Sequence, residues 1–575
     1  MSVEVSNNQK KRKSLFRSLL FAILILAGIN IIAYRWYVQW DLTADKRYST
    51  TKATTEMLQS LKGNVNVTVF LAGKKLPAAF KNLAYGTEEL LKTFSNESHR
   101  KVAYRFVDPT ESEDAVNNLR QYGMMGFPVT VNDDGGMQQR LVYPWALVTY
   151  IPENGGEARH MPVMLQESNS MVLNKQILLR SEILLEYNLG NAIRQLSKEK
   201  DDMIAYLTGN GEPTSPDMLS LARSVGIAKY GMDSLNLQSV PAIPLSYKAM
   251  LIVKPTAPFS ELDLFKIDQY IMQGGRVLFA IDATAANIDS FQHSGAFTAT
   301  AGPLELNEIL FPYGARVNSD LVLDASNNAG IPVAVGGAAQ PQMYSWPYFP
   351  VLEGNEQLAV SKNLEGVLSR FPSSIDLNKN NDGKVKKTPL LTTSVYTKTV
   401  GLPSVVIYNQ SILEEPNLAT FNKKNVVVAA LLEGTFVSAF AQQHSDALNA
   451  FIDQQKLVVK NQSSAKGKLI VLSDADILLN EVGESGPAEM GAYRFKKGFK
   501  FDNASFFQNC LTYLIDDNNL LEARTKTFQS RILDPKRVTE ERSKWQFLAI
   551  GVPVLLVGVL GLLYTFYRKR KYAHK

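Results

Sequence analysis

The 575-residue sequence carries 61 lysines and arginines against 55 aspartates and glutamates, which gives a formal net charge of +6. The two ends, residues 1–17 and 568–575, together carry a net charge of +9, so the rest of the chain is at −3. The charge therefore does not indicate a nucleic-acid-binding face, and a chain that is this long and 45% apolar is expected to bury several cores.

The sequence also lacks the motifs of several enzyme and metal-binding classes. A single cysteine, Cys510, excludes an intrachain disulfide, and its apolar neighbours predict a buried, unreactive thiol. The five histidines are not spaced as zinc ligands. The G-x-x-x-x-G-K-[ST] loop of nucleotide-binding ATPases and the G-x-S-x-G turn of α/β-hydrolases are both missing. We therefore expect no catalytic residue, no cofactor and no metal centre, and predict that the chain is not an enzyme.

Two uncharged, largely apolar segments lie near the ends of the chain, at 18–34 and 545–567. Because a helix of about 20 residues crosses the hydrocarbon core of a bilayer, we predict transmembrane helices at 18–37 and 545–567. The alternatives are a cleaved signal peptide for the first, although no small-residue cleavage site follows it, and a buried core helix for the second. The basic tails, 1–17 and 568–575, predict that both termini are cytoplasmic. The bulk of this two-pass protein would then lie in the periplasm, outside a bacterial inner membrane.

The predicted first extracytoplasmic domain, residues 38–198, begins with alternating strand and helix patterns. Valines recur at every second residue from 65 to 69, as in a half-buried strand, and apolar residues at 78–94 recur at helical spacing. Another strand and another helix follow, and this order predicts an α/β layer with parallel pairing. A β-rich extension at 127–165 and a long helix at 176–197 complete the predicted domain.

The predicted second extracytoplasmic domain, residues 199–530, is also α/β and contains the clearest βαβ unit of the chain. A strand at 249–253 is followed by Ser260, which can cap a helix at 261–272 in a capping box. Two glycines then end the helix before a strand at 276–281. Strand, helix and parallel strand in this order predict neighbouring strands in one sheet.

The rest of the second domain has weaker patterns and allows for insertions. Clusters of glycine, asparagine and proline at 327–342 and 374–388 predict exposed loops. A strand at 468–472 is predicted before a packing helix at 506–514, which returns the chain toward the membrane. Residues 531–544 are predicted to form a juxtamembrane neck.

Polar and acidic side chains follow several predicted strands. Because open α/β sheets bind ligands at the carboxyl ends of their strands, we take five of these side chains as candidate ligand- or partner-binding residues: Asn210, Glu212, Asp282, Asp474 and Asp476. Three interpretations stay open for them, namely capping and loop hydrogen bonding, a ligand or ion site, and catalysis.

The layout and several short motifs resemble the gliding-motility-associated ABC transporter auxiliary proteins, the GldG-like family, across essentially the whole chain. The matching segments lie in order between the two predicted spans: Asp41-Leu42-Thr43, Lys46-Arg47-Tyr48-Ser49, Gly209-Asn210-Gly211-Glu212, the unit with Gly274-Gly275, Ser473-Asp474-Ala475-Asp476, Asp534-Pro535 and Trp545-Gln546. The 249–282 unit is also similar to the sheet of class-I glutamine-amidotransferase-like proteins, although the cysteine that those enzymes carry in a strand–helix turn is missing there.

The resemblance implies a subunit anchored in the membrane beside an ABC permease and, through it, a separate cytoplasmic ATPase. Such proteins occur in bacteria that glide on surfaces with machinery tied to envelope protein secretion. We expect the chain to couple these transporter subunits to an extracytoplasmic envelope protein, with lipid around its spans and no nucleic acid. The alternative is a tethered periplasmic solute-binding receptor of the transporter.

Overall fold

The computed structural model describes most of the chain between residues 49 and 572, with a short piece before it. The described ranges are 20–21, 23–28, 49–73, 76–133, 136–166, 175–198, 202–286, 289, 295–333, 341–377, 384–408, 416–442, 445–463, 467–483, 486–496, 498–516, 520–525 and 535–572. The chain divides into two compact units, Met1–Lys526 and Thr527–Lys575. The predicted boundary between residues 198 and 199 falls inside the first unit and stays a prediction.

The first unit contains both helices and strands. Its α-helices are α1 Lys52–Gln59, α2 Ala78–Glu97, α3 Glu113–Gln121, α4 Lys175–Ser197, α5 Leu219–Ile227, α6 Glu261–Met272, α7 Asn307–Tyr313, α8 Asp446–Gln455 and α9 Asn503–Ile515. Its strands are β1 Asn64–Val69, β2 Val102–Phe106, β3 Phe127–Asp133, β4 Gly136–Val142, β5 Trp145–Ile151, β6 Arg159–Met164, β7 Met203–Thr208, β8 Gly231–Asn236, β9 Tyr247–Val253, β10 Val277–Ala280, β11 Thr284–Ala285, β12 Ala296–Ala301, β13 Ala315–Val317, β14 Asp320–Asp324, β15 Ile331–Val333, β16 Gln342–Tyr344, β17 Val351–Gly354, β18 Val367–Leu368, β19 Ile375–Leu377, β20 Val385–Thr392, β21 Thr397–Gly401, β22 Ser404–Ile407, β23 Val427–Gly434, β24 Gly467–Leu472, β25 Val482–Gly483 and β26 Gly486–Pro487. The predicted α/β class is confirmed.

A four-stranded sheet forms the core of residues 49–198. Its order is β2-β1-β5-β6, with β1 parallel to β2 and antiparallel to β5. The valines of β1 alternate as predicted, since Val65, Val67 and Val69 are fully buried while their neighbours face out or are half-buried. They pack against apolar residues of α1, α2 and α4, including Leu58, Phe80 and Leu189. The strands β3 and β4 form a separate hairpin in the predicted β-rich extension.

A nine-stranded sheet organises the rest of the first unit. Its order is β18-β17-β20-β23-β24-β10-β9-β7-β8, and the five strands from β24 to β8 are parallel, while β23 and the strands beyond it are antiparallel. Alternate residues of the central strands enter two different cores, one with α5 and α9 and one with α6, α7 and α8. Helices therefore cover both faces, which is the usual arrangement around a parallel sheet.

The βαβ unit β9-α6-β10 has the predicted caps. Ser260 Oγ accepts a hydrogen bond from Asp263 N, and the Asp263 carboxylate accepts one from Ser260 N, which completes the capping box. After the helix, Gly274 has a φ of +98°, a left-handed conformation that glycine adopts without steric cost. A Cβ on Gly275 would lie only 2.4 Å from the ring of Tyr270, so this turn packs tightly on its own helix.

Residues 281–466 are an insertion between two neighbouring parallel strands, β10 and β24. Four strands of the insertion, β17, β18, β20 and β23, join the large sheet, and others form the small sheets β11-β12-β22, β13-β19, β14-β21 and β15-β16. The prediction of exposed loops at 327–342 and 374–388 is wrong in part, because β15 lies in the first segment and β19 and the start of β20 lie in the second. Residues 334–340 and 378–383 of these segments lie outside the described residues.

The second unit contains α10, Pro535–Tyr572. Its segment Glu541–Arg570 is long and apolar enough to cross a membrane, and among the described residues it is the one helix that meets this criterion. Its apolar side chains are exposed along the whole segment, as expected of a helix whose surroundings are lipid. The predicted span at 18–37 lies largely outside the described residues, so the two-pass topology stays a prediction.

Candidate functional site

Four charged side chains meet where three adjacent parallel strands end. Lys254 follows β9, Asp282 follows β10, and Asp474 and Asp476 follow β24. Because β24, β10 and β9 are neighbours in register, their carboxyl ends lie side by side at one edge of the sheet. Oxygen atoms of the three carboxylates lie within 4.8 Å of one another. We call these four residues the carboxylate–lysine cluster.

The ammonium group of Lys254 lies between two of the carboxylates. Its Nζ is 3.0 Å from Asp282 Oδ2 and 2.5 Å from Asp476 Oδ1. The backbone of Lys254 has a φ of +48°, an uncommon conformation for a residue with a side chain. Because strained backbone persists only where the surroundings hold it in place, these ion pairs are a physical reason for this conformation. The sequence patterns predict Lys254 only as the end of a strand, so its role in the cluster was missed.

Asp474 is buried and bonded on both oxygens. Its Oδ2 accepts hydrogen bonds from Ser369 Oγ, at 2.5 Å, and from the backbone N of Arg370, at 2.6 Å. Its Oδ1 accepts from Asp476 N at 2.8 Å and so caps the 3-10 turn Ala475–Ile477. Asp282 in turn accepts from Ala475 N at 2.6 Å. The cluster therefore joins the ends of β9, β10 and β24 to the chain that follows β18.

Burial and neighbouring charges shift the pKa values of the cluster in different directions. Burial raises the pKa of Asp474 to about 8, helped by the negative charges of Asp476 and Asp282. Burial also raises the pKa of Asp282, against the opposing effect of Lys254. For Asp476 the burial effect is outweighed by Lys254 and Arg370, which hold its pKa below the ordinary value. Burial would lower the pKa of Lys254, but Asp476 and Asp282 raise it above its usual range.

These directions describe a cluster in which Lys254 offsets the charge of Asp476, while burial disfavours ionisation of Asp474 and Asp282. Three carboxylates would otherwise suit a hard cation such as Mg²⁺ or Ca²⁺. The ammonium group already supplies positive charge to two of them, so a metal ion would have to displace it. The geometry therefore favours the capping and hydrogen-bonding interpretation over an ion site.

A narrow polar cleft, without room for a bound water molecule, adjoins the cluster. It is lined by Arg370, Asp476, Glu481, Glu489 and Asn503 together with apolar residues. The guanidinium of Arg370 lies 3.1 Å from Glu481, and Asn503 Oδ1 accepts a hydrogen bond from Leu368 N. The cleft thus places one cation and several carboxylates beside the end of β24, where a parallel sheet commonly binds its ligand.

Asn210 and Glu212 lie in a separate loop after β7. Asn210 N donates to Glu212 Oε2 at 2.7 Å, and Asn210 Nδ2 donates to Pro258 O at 2.9 Å, which ties this loop to the one that follows β9. Glu212 is buried, and burial raises its pKa. A Cβ on Gly211, whose φ is +82°, would meet Thr256 Oγ1 at 2.1 Å, so only glycine fits this close approach. Of the five predicted site residues, the structure brings together the three aspartates and leaves these two in their own loop.

Comparison with known proteins gives matches to two family models. The model described as an ABC-type uncharacterized transport system matches residues 201–510, which include the large sheet, the insertion and the carboxylate–lysine cluster. A model described as a domain of unknown function, DUF7088, matches residues 44–149.

Individual relatives are distant. A protein of Borreliella burgdorferi named "Uncharacterized protein" is 21% identical over 452 residues, which covers 77% of this chain and 81% of the relative. Among solved structures, the chain named "mmIFT52 N-terminal domain" is 15% identical with a TM-score of 0.29, and the match covers 54% of this chain and 96% of that one. The similarity to this solved structure is too low to bear on function.

Proposed function

The chain belongs to the ABC transporter auxiliary family described as an ABC-type uncharacterized transport system, and from this premise we propose that it couples a transporter to partners outside the membrane. In this proposal it is a membrane-anchored subunit beside an ABC permease and a separate cytoplasmic ATPase. The observation that carries the proposal is a family match across the large sheet in a chain that also holds the exposed apolar helix α10.

Three features support a coupling role over an ATPase or an enzyme. The sequence has no phosphate-binding loop, so ATP would have to be bound by another subunit. The acidic residues at the carboxyl edge of the sheet are engaged by Lys254, by Ser369 and by backbone amides, which leaves no free acid–base pair in the cluster. The lone thiol, Cys510, is buried in the core, and burial raises its pKa well above the ordinary value.

The proposal also includes a membrane topology and a cellular process. We place both termini in the cytoplasm and the first unit in the periplasm of a bacterial inner membrane, on the basis of the basic tails. We place the complex in gliding motility and envelope protein secretion because of the resemblance of the motifs to the GldG-like family. A periplasmic first unit could then contact an envelope protein directly.

Co-purification tests the proposed partners. The tagged full chain is extracted from its native membrane in mild detergent, and its associated proteins are identified by mass spectrometry. We expect an ABC permease and an ATPase in the unchanged chain and in the surface variant Lys248→Met, and their loss when both predicted spans, 18–37 and 545–567, are replaced by unrelated spans. Association that persists without the native spans, or that never includes a permease, contradicts the proposal.

A second candidate function is a tethered solute receptor. The observation that favours it is the position of Arg370 and Asp476 at the carboxyl edge of the sheet, where the cleft would have to open to admit a solute. Thermal unfolding of the full chain against a solute library tests it, because a ligand at a hundred times its dissociation constant stabilises by about 2.7 kcal/mol. A hit should be lost in Arg370→Met and kept in Arg316→Met, an exposed arginine of β13. A library without hits leaves the coupling role as the function that the structure favours.

A further inference from the structure

The long helix α4 binds the residue that precedes α1 in the chain. Thr51, the N-cap residue of α1, donates from its backbone N and its Oγ1 to Glu186 Oε1 of α4, at 2.7 Å and 3.0 Å. Glu186 is buried, so its interaction with Thr51 is shielded from solvent. In the predicted topology, the N-terminal span ends at residue 37, so Thr51 lies in the segment that leads from this span into the first unit.

The same helix also contacts the last described segment of the first unit. After α9, Asp516 forms an ion pair with Arg194 of α4 at 3.1 Å, and both side chains are buried. Asp516 Oδ2 also accepts from Leu520 N at 3.0 Å. This bond caps the 3-10 segment Leu520–Thr525, which we call the strap. Buried ion pairs are costly to break, because removal of one partner leaves an uncompensated charge.

The strap is also held by Arg524. Its side chain is buried, donates to Asn509 Oδ1 of α9 at 2.5 Å, and lies 5.6 Å from the ring centroid of Tyr187 in α4. The backbone O of Arg524 accepts from Asn363 Nδ2 at 3.1 Å. The residue before α10 in the described chain is Thr525, and residues 526–534 lie between them in sequence.

The two segments meet on one residue of α4. A Cβ on Gly190 would lie 3.8 Å from Leu520 Cδ1 of the strap, 3.8 Å from Met57 Cε of α1 and 3.9 Å from Thr54 Cγ2 of α1. These are ordinary van der Waals distances, so both segments lie directly over this turn of α4. Glu186 and Arg194, one turn to either side, provide the polar contacts described above.

We infer that α4 is a mechanical strut that connects the chain entering the first unit to the chain leaving it. The inference rests on the proposed coupling function and names the residues through which movement of the membrane helices would reach the α/β sheets. Movement of the strap relative to Asn509 changes its contacts with Tyr187 and with Gly190, and therefore the surface on which α1 packs. The strap also lies directly against α1, so the two ends of the unit are coupled through the joint packing of α1, α4 and the strap and not only through the large sheet.

Hydrogen exchange measured by mass spectrometry on the full chain in lipid nanodiscs tests this inference. The variant Arg524→Met keeps an apolar stem on Tyr187 but removes the charge and the bond to Asn509. We expect amides of the strap and also of α1 to exchange about tenfold faster, which corresponds to about 1.4 kcal/mol, while amides of β9 and β10 keep their rates. The control Arg316→Met should change neither segment. Faster exchange confined to the strap and α9, with α1 unchanged, overturns the inference.

A milder variant tests the coupling in the opposite direction. Thr51→Val keeps the shape of the side chain and removes its Oγ1 bond to Glu186 together with the capping bond from Thr54 N. Because coupling is reciprocal, the variant should raise exchange in the strap. No change in the strap, when α1 itself exchanges faster, also overturns the inference. Neither measurement needs the transporter, and Arg524→Met leaves both predicted spans intact. If the strut inference is wrong, the amides of α1 and of the strap exchange independently of each other. If the proposed function is wrong, no permease co-purifies with the unchanged chain.

Discussion

Lys254 Nζ lies 3.0 Å from Asp282 Oδ2, so a lysine that follows one parallel strand is paired with an aspartate that follows its neighbour. The contact joins β9 to β10 at the edge where this fold class usually binds a ligand. In this protein the same edge is occupied by an internal ion pair, which makes it first of all a structural junction.

Replacement of Lys254 should show how much this junction contributes to the free energy of unfolding. Lys254→Met removes the positive charge and leaves the carboxylates of Asp282 and Asp476 facing each other. Because the side chains are only partly exposed, we expect a loss of about 1–3 kcal/mol in the free energy of unfolding. Chemical denaturation of the detergent-solubilised chain measures it. Lys248→Met, an exposed lysine of the same strand, should change stability little, and an equal loss in both variants would contradict the assignment.

Asp474 should make stability depend on pH. Its pKa rises from the ordinary value near 4 to about 8 in the folded chain. The folded state therefore holds a proton between pH 4 and pH 8 that the unfolded state has lost. The stabilisation from this proton is complete below pH 4 and is lost as the pH rises toward 8. Asp282 contributes in the same direction and Asp476 in the opposite one, because its folded pKa is lowered.

The variant Asp474→Asn tests whether stability falls with rising pH because of this carboxyl group. It removes the titrating group, so the fall in the free energy of unfolding with pH should become shallower by up to about 1.4 kcal/mol per pH unit between pH 5 and 7. Denaturation series at several pH values measure the slope. The exposed aspartate of β19, changed in Asp376→Asn, serves as the control. A slope equal to that of the unchanged chain would mean that Asp474 is ionised throughout this range.

Two adjacent glycines should respond differently to substitution. At Gly275 the new Cβ would lie 2.4 Å from the buried ring of Tyr270, so Gly275→Ala should overpack the α6 turn and destabilise by about 1–3 kcal/mol. At Gly274 a Cβ meets nothing within 4 Å, and the φ of +98° is the only obstacle. Asparagine tolerates left-handed backbone better than most residues, so Gly274→Asn should be the milder change. Thermal unfolding compares them, and the reverse order would refute the packing argument.

Membrane fractionation can show whether the chain has one membrane anchor or two. Deletion of 535–575 removes α10, and the predicted helix at 18–37 should then keep the chain in the membrane after alkaline carbonate extraction. Deletion of both segments should release it. Release by the first deletion alone would show that the N-terminal segment is not an anchor.

Side-specific labelling checks the predicted orientation of the folded unit. Cys510 is buried, so an introduced thiol dominates the reaction. Ser246→Cys places that thiol at an exposed position, and an impermeant maleimide should label it in intact spheroplasts. Protection until the cells are lysed would place the first unit in the cytoplasm. Ser369→Cys, at a buried position, is the matched variant that should stay unlabelled in both conditions.

The elements with strong local patterns could be predicted from the sequence. The alternating valines of β1 and the capped helix α6 are examples, because their signals depend on neighbours within a few residues. The three aspartates of the cluster were reached through a general rule on strand ends. Lys254 was missed because its role depends on the side-by-side position of β9, β10 and β24, which no local pattern contains. Short strands such as β15 and β19 were missed because they follow or precede turn-forming residues and are stabilised by pairing partners elsewhere.

The neighbouring position of β10 and β24 also bears on how the chain folds. Residues 281–466 lie between these strands, so during synthesis β10 has its partner β9 on one side long before β24 exists on the other. The growing polypeptide thus has an unpaired hydrogen-bonding edge at the middle of its future core, and such edges invite wrong pairing. Assembly of the centre has to wait until residue 472 has been made, which predicts slow maturation and a need for chaperone protection in whichever compartment the chain folds.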